Sequence, residues 1–243
     1  MTWVIVGASA GLGRALAEHM ARDGRSLMLV AREERDLSAL ARDLALHHGA
    51  RVRFLAQDAV EPGVLADRLY QSLAGEEVEG LLFPIGAIDE GDDGRLDPTR
   101  VQQLMSVNFS AIASVMSRFL PVLLAQRRGV VVGFGSIAAI RGRGRNIVYS
   151  AAKRALESYF ESLRHLTERD GLTIAFYVLG YLDTGLAFGQ RLLLPPAPPA
   201  MVAAQVCRRL YDARGTHHLP RYWGVLAPLL RAVPWWLFKR LRF

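Results

Sequence analysis

Thr2-Trp3-Val4-Ile5-Val6-Gly7-Ala8-Ser9-Ala10-Gly11-Leu12-Gly13 follows directly on Met1. Thr2 to Val6 is a short apolar run rich in β-branched and aromatic residues, the composition of a buried strand. Three glycines follow in the spacing GxxxGxG, and a helical pattern runs from Arg14 to Arg22. A strand that turns through a glycine loop into a helix brings unpartnered backbone N–H groups to the strand's carboxyl end. Such a turn can hold a phosphate. An ordinary glycine turn would look the same, so the decision passes to the rest of the chain.

The same alternation continues outward from this stretch. Apolar strand patterns lie at 26–30, 51–56, 78–83, 130–134 and 172–179, with a short one near 217–219. Helical patterns separate them at 33–48, 62–73, 97–128, 149–171 and 199–214. Asp97-Pro98 reads as the cap and first residue of the longest. This order predicts an α/β fold, a doubly wound parallel sheet with helices on both faces. Residues 1–220 are expected to form one domain, with a substrate-covering segment at about 180–200 and an aromatic, basic tail at 221–243.

The chain has 243 residues, 51% of them hydrophobic, which suits one large domain with a sizeable core. The formal charge is +7, so anionic partners are favoured: phosphorylated ligands, nucleic acid or a membrane surface. No nucleic-acid motif accompanies that charge, and no nucleic-acid partner is expected. Cys207 is the single cysteine, which excludes an intrachain disulfide and fits a reducing, cytoplasmic setting. No signal peptide precedes the first strand, and no uninterrupted apolar run reaches the ~18 residues that span a bilayer. His217 and His218 lack spaced partners, so no metal site is expected.

Chemistry-bearing residues recur at strand ends. Arg32 ends the second strand, where an acid would bond a ribose 2′-hydroxyl and a cation would pair with a 2′-phosphate. Arg32 could equally be a solvated helix-start residue, with Glu33 and Glu34 as first-turn acids. Asp58 follows the third strand; it can reach an adenine amino group or cap the helix near Pro62. Asn108 sits inside a long helix, an unfavourable place unless its amide has a partner. Tyr149 and Lys153 are four apart, so a helix puts both on one face, about 6 Å apart along its axis. An ammonium at ~4 Å from the phenol would favour the phenolate by up to ~4 kcal/mol at an effective dielectric of ~20. That pair is an acid/base unit for a carbonyl or alcohol, although YxxxK also occurs on plain helices.

Taken together, GASAGLG at 7–13, Asp58, Asn108, Ser136, Tyr149-x-x-x-Lys153 and Gly180-x-x-x-Thr184 resemble the short-chain dehydrogenase/reductase family over roughly residues 2–220. The resemblance implies a Rossmann-type fold that binds NADP through Gly7, Ser9, Gly11, Leu12, Gly13, Arg32, Asp58, Gly86, Tyr149, Lys153, Gly180 and Thr184. It makes Tyr149 the proton donor in reduction, Ser136 the hydrogen-bond donor to the substrate carbonyl, and Lys153 the group that lowers the tyrosine pKa. It gives Asn108 a water that links Lys153 to solvent. It also implies a four-helix dimer interface built from the helices of Asn108 and Tyr149, hence a homodimer or homotetramer. Val6, Phe83-Pro84-Ile85 and Leu179 depart from the family pattern without removing a catalytic group.

The loop of Arg141, Arg143 and Arg145, the turn Ile85-Gly86-Ala87-Ile88 and the tail from Tyr222 are similar to the polyprenyl-phosphoryl 2-ketoribose reductases. That resemblance implies a lipid-linked keto-sugar as substrate and an FAD-linked oxidase as partner. A soluble ketone, a secondary alcohol, a 3-oxoacyl thioester, or a non-catalytic NADP-binding regulator are the alternatives. The three arginines either bind a substrate phosphate or form a solvated loop. The tail has no acid after Asp212 and interleaves Trp235 and Trp236 with cations. It either meets the inner face of an anionic membrane or folds back and buries those rings.

Overall fold

The coordinates are a computed structural model that describes residues 1–185 and 194–240. The strands are β1 Thr2–Val6, β2 Leu27–Ala31, β3 Val52–Ala56, β4 Val78–Phe83, β5 Gly129–Ser136, β6 Leu172–Leu179 and β7 Gly215–Leu219. They form a seven-stranded sheet in the order β3-β2-β1-β4-β5-β6-β7, and each neighbouring pair is parallel. The chain starts at β1, winds outward to β3, then crosses to β4 and winds the other way. This reversal opens a crevice beside the carboxyl ends of β1 and β4.

Every residue of β1 is buried, which is why the run reads as continuously apolar rather than alternating. Alternation survives in direction. Trp3 and Ile5 join the core beneath α1 Gly11–Arg22, α2 Glu34–His48 and α7 Pro199–Cys207. Val4 and Val6 join the core beneath α3 Pro62–Ser72, α5 Ala111–Gln126 and α6 Ile147–Leu166. Cys207 is buried in the first of these cores, and burial pushes its thiol up to about 12, so it is inert packing.

Several boundaries differ from expectation. The first helix begins at Gly11 rather than Arg14, with Ala10 as a cap that offers no side-chain hydrogen bond. The sixth helix stops at Leu166, short of Gly171, and α7 stops at Cys207, where turns take over. Asp97 does cap α4 Pro98–Met105, accepting from Thr99 N at 2.9 Å and Arg100 N at 3.1 Å. The long helix that starts there is broken by a π turn at Ser106–Ser110 before α5 begins. Pro98–Gln126 is apolar and long enough to cross a membrane, but its inner face, including Ile112, Val115 and Phe119, is packed into the core.

The tail forms α8 Trp223–Ala232 and α9 Trp235–Phe238. Trp223, Ala227 and Phe238 are buried, whereas Trp235 and Trp236 are 65% and 60% exposed. Folding back therefore takes place, but it does not bury the two neighbouring tryptophans. Much of the substrate-covering segment, including Leu186, Phe188, Leu192 and Leu193, lies outside the described residues.

Candidate active site

The crevice holds a cavity of about 570 Å³ lined by the loop Gly7–Leu12, Arg32, Asp58, Gly86, Ser136, Tyr149, Lys153, Gly180 and Thr184. Gly13 and Asn108 stand behind its wall. Two of the glycines are required by contact. Gly7 has a positive φ of 96°, and a side chain there would come within 2.7 Å of Ile85 Cα. A Cβ on Gly13 would collide with the carbonyl of Gly7, so α1 could not pack this closely behind β1. The uncapped start of α1 faces the cavity, so its first N–H groups are free for an anion. A dinucleotide's pyrophosphate fits that cradle.

Arg32 and Asp58 lie at the far end of the cavity, among its lining. Arg32 is exposed and ion-paired with Glu33 at 2.7 Å. Asp58 does not cap α3; its Oδ1 accepts from Val60 N at 3.0 Å, and Glu61 precedes the helix without a side-chain cap. Both side chains retain groups for a ligand: the Arg32 Nη donors and the second Asp58 oxygen.

Ser136 ends β5 and faces the phenol of Tyr149. Burial pushes the Tyr149 phenol above its ordinary value, while hydrogen bonding with Ser136 and the charge of Arg143 pull it back in part. Lys153 is not among the groups that shift this phenol. The Lys153 ammonium lies over the tyrosine ring, 6.0 Å from its centre. It donates to Ile85 O at 3.0 Å and Phe134 O at 3.1 Å. An ammonium has three N–H donors, so one is left for a ligand such as a ribose hydroxyl. Burial lowers the Lys153 pKa to about 8, because taking the charge out of water opposes protonation.

Asn108 occupies the π turn and is fully buried. Its Nδ2 donates to Ala87 O at 2.8 Å and Leu104 O at 2.9 Å, and its Oδ1 accepts from Ala87 N at 3.1 Å. The extra residue of the π turn is what turns this side chain towards the strap 84–88. A Cβ on Gly86 would lie 3.2 Å from Asn108 Oδ1 and 3.4 Å from Lys153 Nζ. The departure at Phe83-Pro84-Ile85 is thereby accounted for. The strap holds Lys153 and Asn108 through the main chain, and backbone groups do not depend on side-chain identity.

Sequence reasoning missed Asp92. It is 2% exposed and sits over the start of α6, accepting from Val148 N at 2.9 Å and Tyr149 N at 3.0 Å. The residue preceding α6, Asn146, has φ 54° and provides no side-chain cap. Asp92 therefore caps the helix of Tyr149 from 57 residues away, a relation with no local signal. Trp223 was missed as a wall residue. Its indole packs where a Gly180 side chain would stand, so the tail is part of the site's frame.

The three arginines separate. Arg141 donates to the carbonyls of Leu230, at 3.0 Å, and Val233, and its guanidinium lies 4.1 Å from the centre of the Phe238 ring. Its role is to fasten the tail. Arg145 is exposed and does not line the cavity. Arg143 does line it, and its Nε is buried without a hydrogen-bond partner. Among the described residues no group of three or more His, Cys, Asp and Glu side chains could hold a metal.

The family described as short chain dehydrogenase matches residues 1–191. A very-long-chain 3-oxoacyl-CoA reductase of Podospora anserina is 29% identical over 209 residues, 84% of this chain and 62% of its own length. A hydroxysteroid 11-beta-dehydrogenase 1-like protein of Macaca fascicularis is 32% identical over 214 residues, covering 82% of this chain and 72% of that protein. Among solved structures, a short-chain dehydrogenase from Sphingobium yanoikuyae in complex with NADPH superposes with a TM-score of 0.84 at 21% identity, covering 99% and 96% of the two chains. A 7beta-hydroxysteroid dehydrogenase superposes with a TM-score of 0.87 at 20% identity, covering 98% and 95%.

Proposed function

The chain belongs to the short-chain dehydrogenase family, and from that premise we propose that it is an NADPH-dependent reductase of a ketone carried on a phosphorylated, lipid-linked sugar. The single observation that carries the reductase reading is the phenol of Tyr149 facing the Ser136 hydroxyl in the cavity. Two hydroxyl donors there would receive a carbonyl oxygen and stabilise the charge that develops on it. Tyr149 would then give its proton to the new alkoxide. Lys153 would orient the ribose through its remaining N–H and keep a positive charge near the phenol. NADPH supplies the hydride when bound. Gly7 to Gly13 would hold its pyrophosphate, Arg32 and Asp58 its adenosine end, and Gly180 and Thr184 the wall near the nicotinamide.

Arg143 supports the phosphorylated substrate, since a buried guanidinium N–H without a partner favours an anion beside it. The exposed tryptophans and cations of the tail support delivery at an anionic membrane surface. An FAD-linked oxidase acting on the same substrate is the partner this reading implies. A 3-oxoacyl thioester is the second reading, favoured by the fungal relative and equally compatible with an anionic, apolar-tailed substrate. The test is NADPH oxidation with three ketones: a polyprenyl-phosphoryl keto-sugar, a 3-oxoacyl thioester and a neutral ketone. Arg143→Gln is expected to raise KM for the phosphorylated ketone and to spare the neutral one. Equal effects on all three would remove Arg143 from recognition, and turnover of the thioester alone would select the second reading.

A further inference from the structure

A second cavity, of about 640 Å³, lies away from the crevice, between β7, the end of α7 and the start of α8. Its lining brings together Arg208, Arg209, Arg221, His217, His218 and Tyr177. Not one carboxylate lines it among the described residues. Two polar atoms within it are buried and unpartnered: the Tyr177 hydroxyl and His217 Nε2. Tyr177 is 2% exposed, and its ring lies 5.3 Å from that of His217, its register partner on the next strand. A buried hydroxyl without a partner is costly, so one kept beside a cavity leaves a gap in the hydrogen bonding that a ligand's acceptor would fill.

The cations are equally uncommitted. Arg208 spends one N–H on Ala204 O of its own helix, at 3.2 Å. Arg209 and Arg221 have no side-chain hydrogen bond or ion pair among the described residues. Arg209 is close enough for its charge to act on both Tyr177 and His217. Guanidinium forks at the rim and a phenol at the floor match an anion with several acceptor oxygens.

We propose that this cavity is a binding site for a phosphomonoester, separate from the catalytic crevice. Its oxygens would accept from the Tyr177 hydroxyl at the floor and from Arg209 and Arg221 at the rim, and its organic part would occupy the remaining volume. The ester is either a soluble metabolite or the headgroup of a lipid such as phosphatidic acid, because α8 runs from this rim into the apolar tail surface.

The test uses the full chain in two arms. In the first, calorimetry measures glycerol 3-phosphate and inorganic phosphate binding. In the second, the protein is co-sedimented with phosphatidylcholine vesicles that carry either phosphatidic acid or, at equal surface charge, the phosphodiester phosphatidylglycerol, so that binding through the tail's charge and tryptophans is common to both. Tyr177→Phe removes only a buried unpaired hydroxyl and is expected to fold, and Arg209→Gln changes an exposed residue. Each is expected to weaken binding at least about tenfold, the factor that corresponds to ~1.4 kcal/mol. NADPH affinity should stay unchanged in both. Loss in the first arm identifies a soluble ester, and loss confined to phosphatidic acid vesicles identifies a headgroup. Absence of saturable binding in both arms, or binding indifferent to both substitutions, would overturn the proposal.

Discussion

At the scale of single residues, two groups lining the cavity have opposite displacements. The Tyr149 phenol is raised and the Lys153 ammonium is lowered to about 8, in both cases mainly by burial. In the proposed reduction the phenol would be the proton donor, and burial favours its neutral form. Tyr149→Phe is expected to lower turnover by roughly 10²–10⁴-fold. NADPH titration should give an unchanged affinity, and activity within about tenfold of the parent would remove Tyr149 from the mechanism. If Arg32 pairs with a 2′-phosphate as proposed, Arg32→Ala would remove a charge-assisted contact worth about 1.5–3 kcal/mol. NADPH should weaken and NADH should not; equal losses would make Arg32 structural. Lys153 also links stability to pH. Its folded pKa of about 8 lies below the ordinary 10.5, so the cost of burying its charge is fully present below pH 8 and is relieved as pH rises towards 10.5. The Tm of the parent minus that of Lys153→Met should therefore increase between pH 8 and 10. A constant difference would contradict the assigned shift.

At the scale of elements, the helix α6 that carries Tyr149 and Lys153 is held at its start by a residue of a different loop. Asp92 accepts two N–H groups that would otherwise be orphaned, one of them Tyr149's own. Asp92→Ala should cost about 1–2 kcal/mol of stability by denaturant unfolding, the usual range for a lost cap. It should also lower kcat more than it raises KM for NADPH, because the first turn of α6 carries the phenol. A stability loss with kcat untouched would show that the first turn keeps its place without this cap. The π turn works similarly at α4–α5, where it turns Asn108 onto the strap that also carries Lys153. Neither device leaves a periodic trace. A buried acid in the loop 86–94 looks like any solvated one in the sequence, and a single inserted helical residue hardly perturbs an apolar pattern.

At the scale of the whole molecule, the tail divides into an anchored part and a presented part. Trp223 packs at Gly180 and Arg141 binds carbonyls of α8 and its end, so truncation after Arg221 would unpack the site. The presented part is Trp235, Trp236, Leu229 and Val225, all more than half exposed, with Arg221, Lys239 and Arg240 nearby in sequence. Substituting both tryptophans with Ser should leave NADPH binding and Tm nearly unchanged. It should abolish co-sedimentation with anionic vesicles at low salt. Unchanged sedimentation would place the membrane contact elsewhere, and failure of the parent to sediment would end the membrane reading. The outer face of Pro98–Gln126 and α6 remains the expected dimer surface, and sedimentation velocity showing only monomer at micromolar concentration would contradict it.

The sequence by itself determined the layered parallel sheet, because burial on both faces leaves continuous apolar strands separated by helical periods. It also marked the glycine loop, since Gly7 and Gly13 occupy places where a side chain would meet backbone. Tyr149 and Lys153 were legible as candidates because spacing along a helix is a local property, and Ser136 entered through the family resemblance. Only the tertiary structure decided where the Lys153 ammonium points, since its acceptors Ile85 O and Phe134 O come from two other segments. It alone divided the three arginines between tail, cavity and solvent, and found Asp92 above α6. Such partnerships are set by contacts between residues far apart in the chain, and identical residue types with identical spacing can satisfy them in different ways.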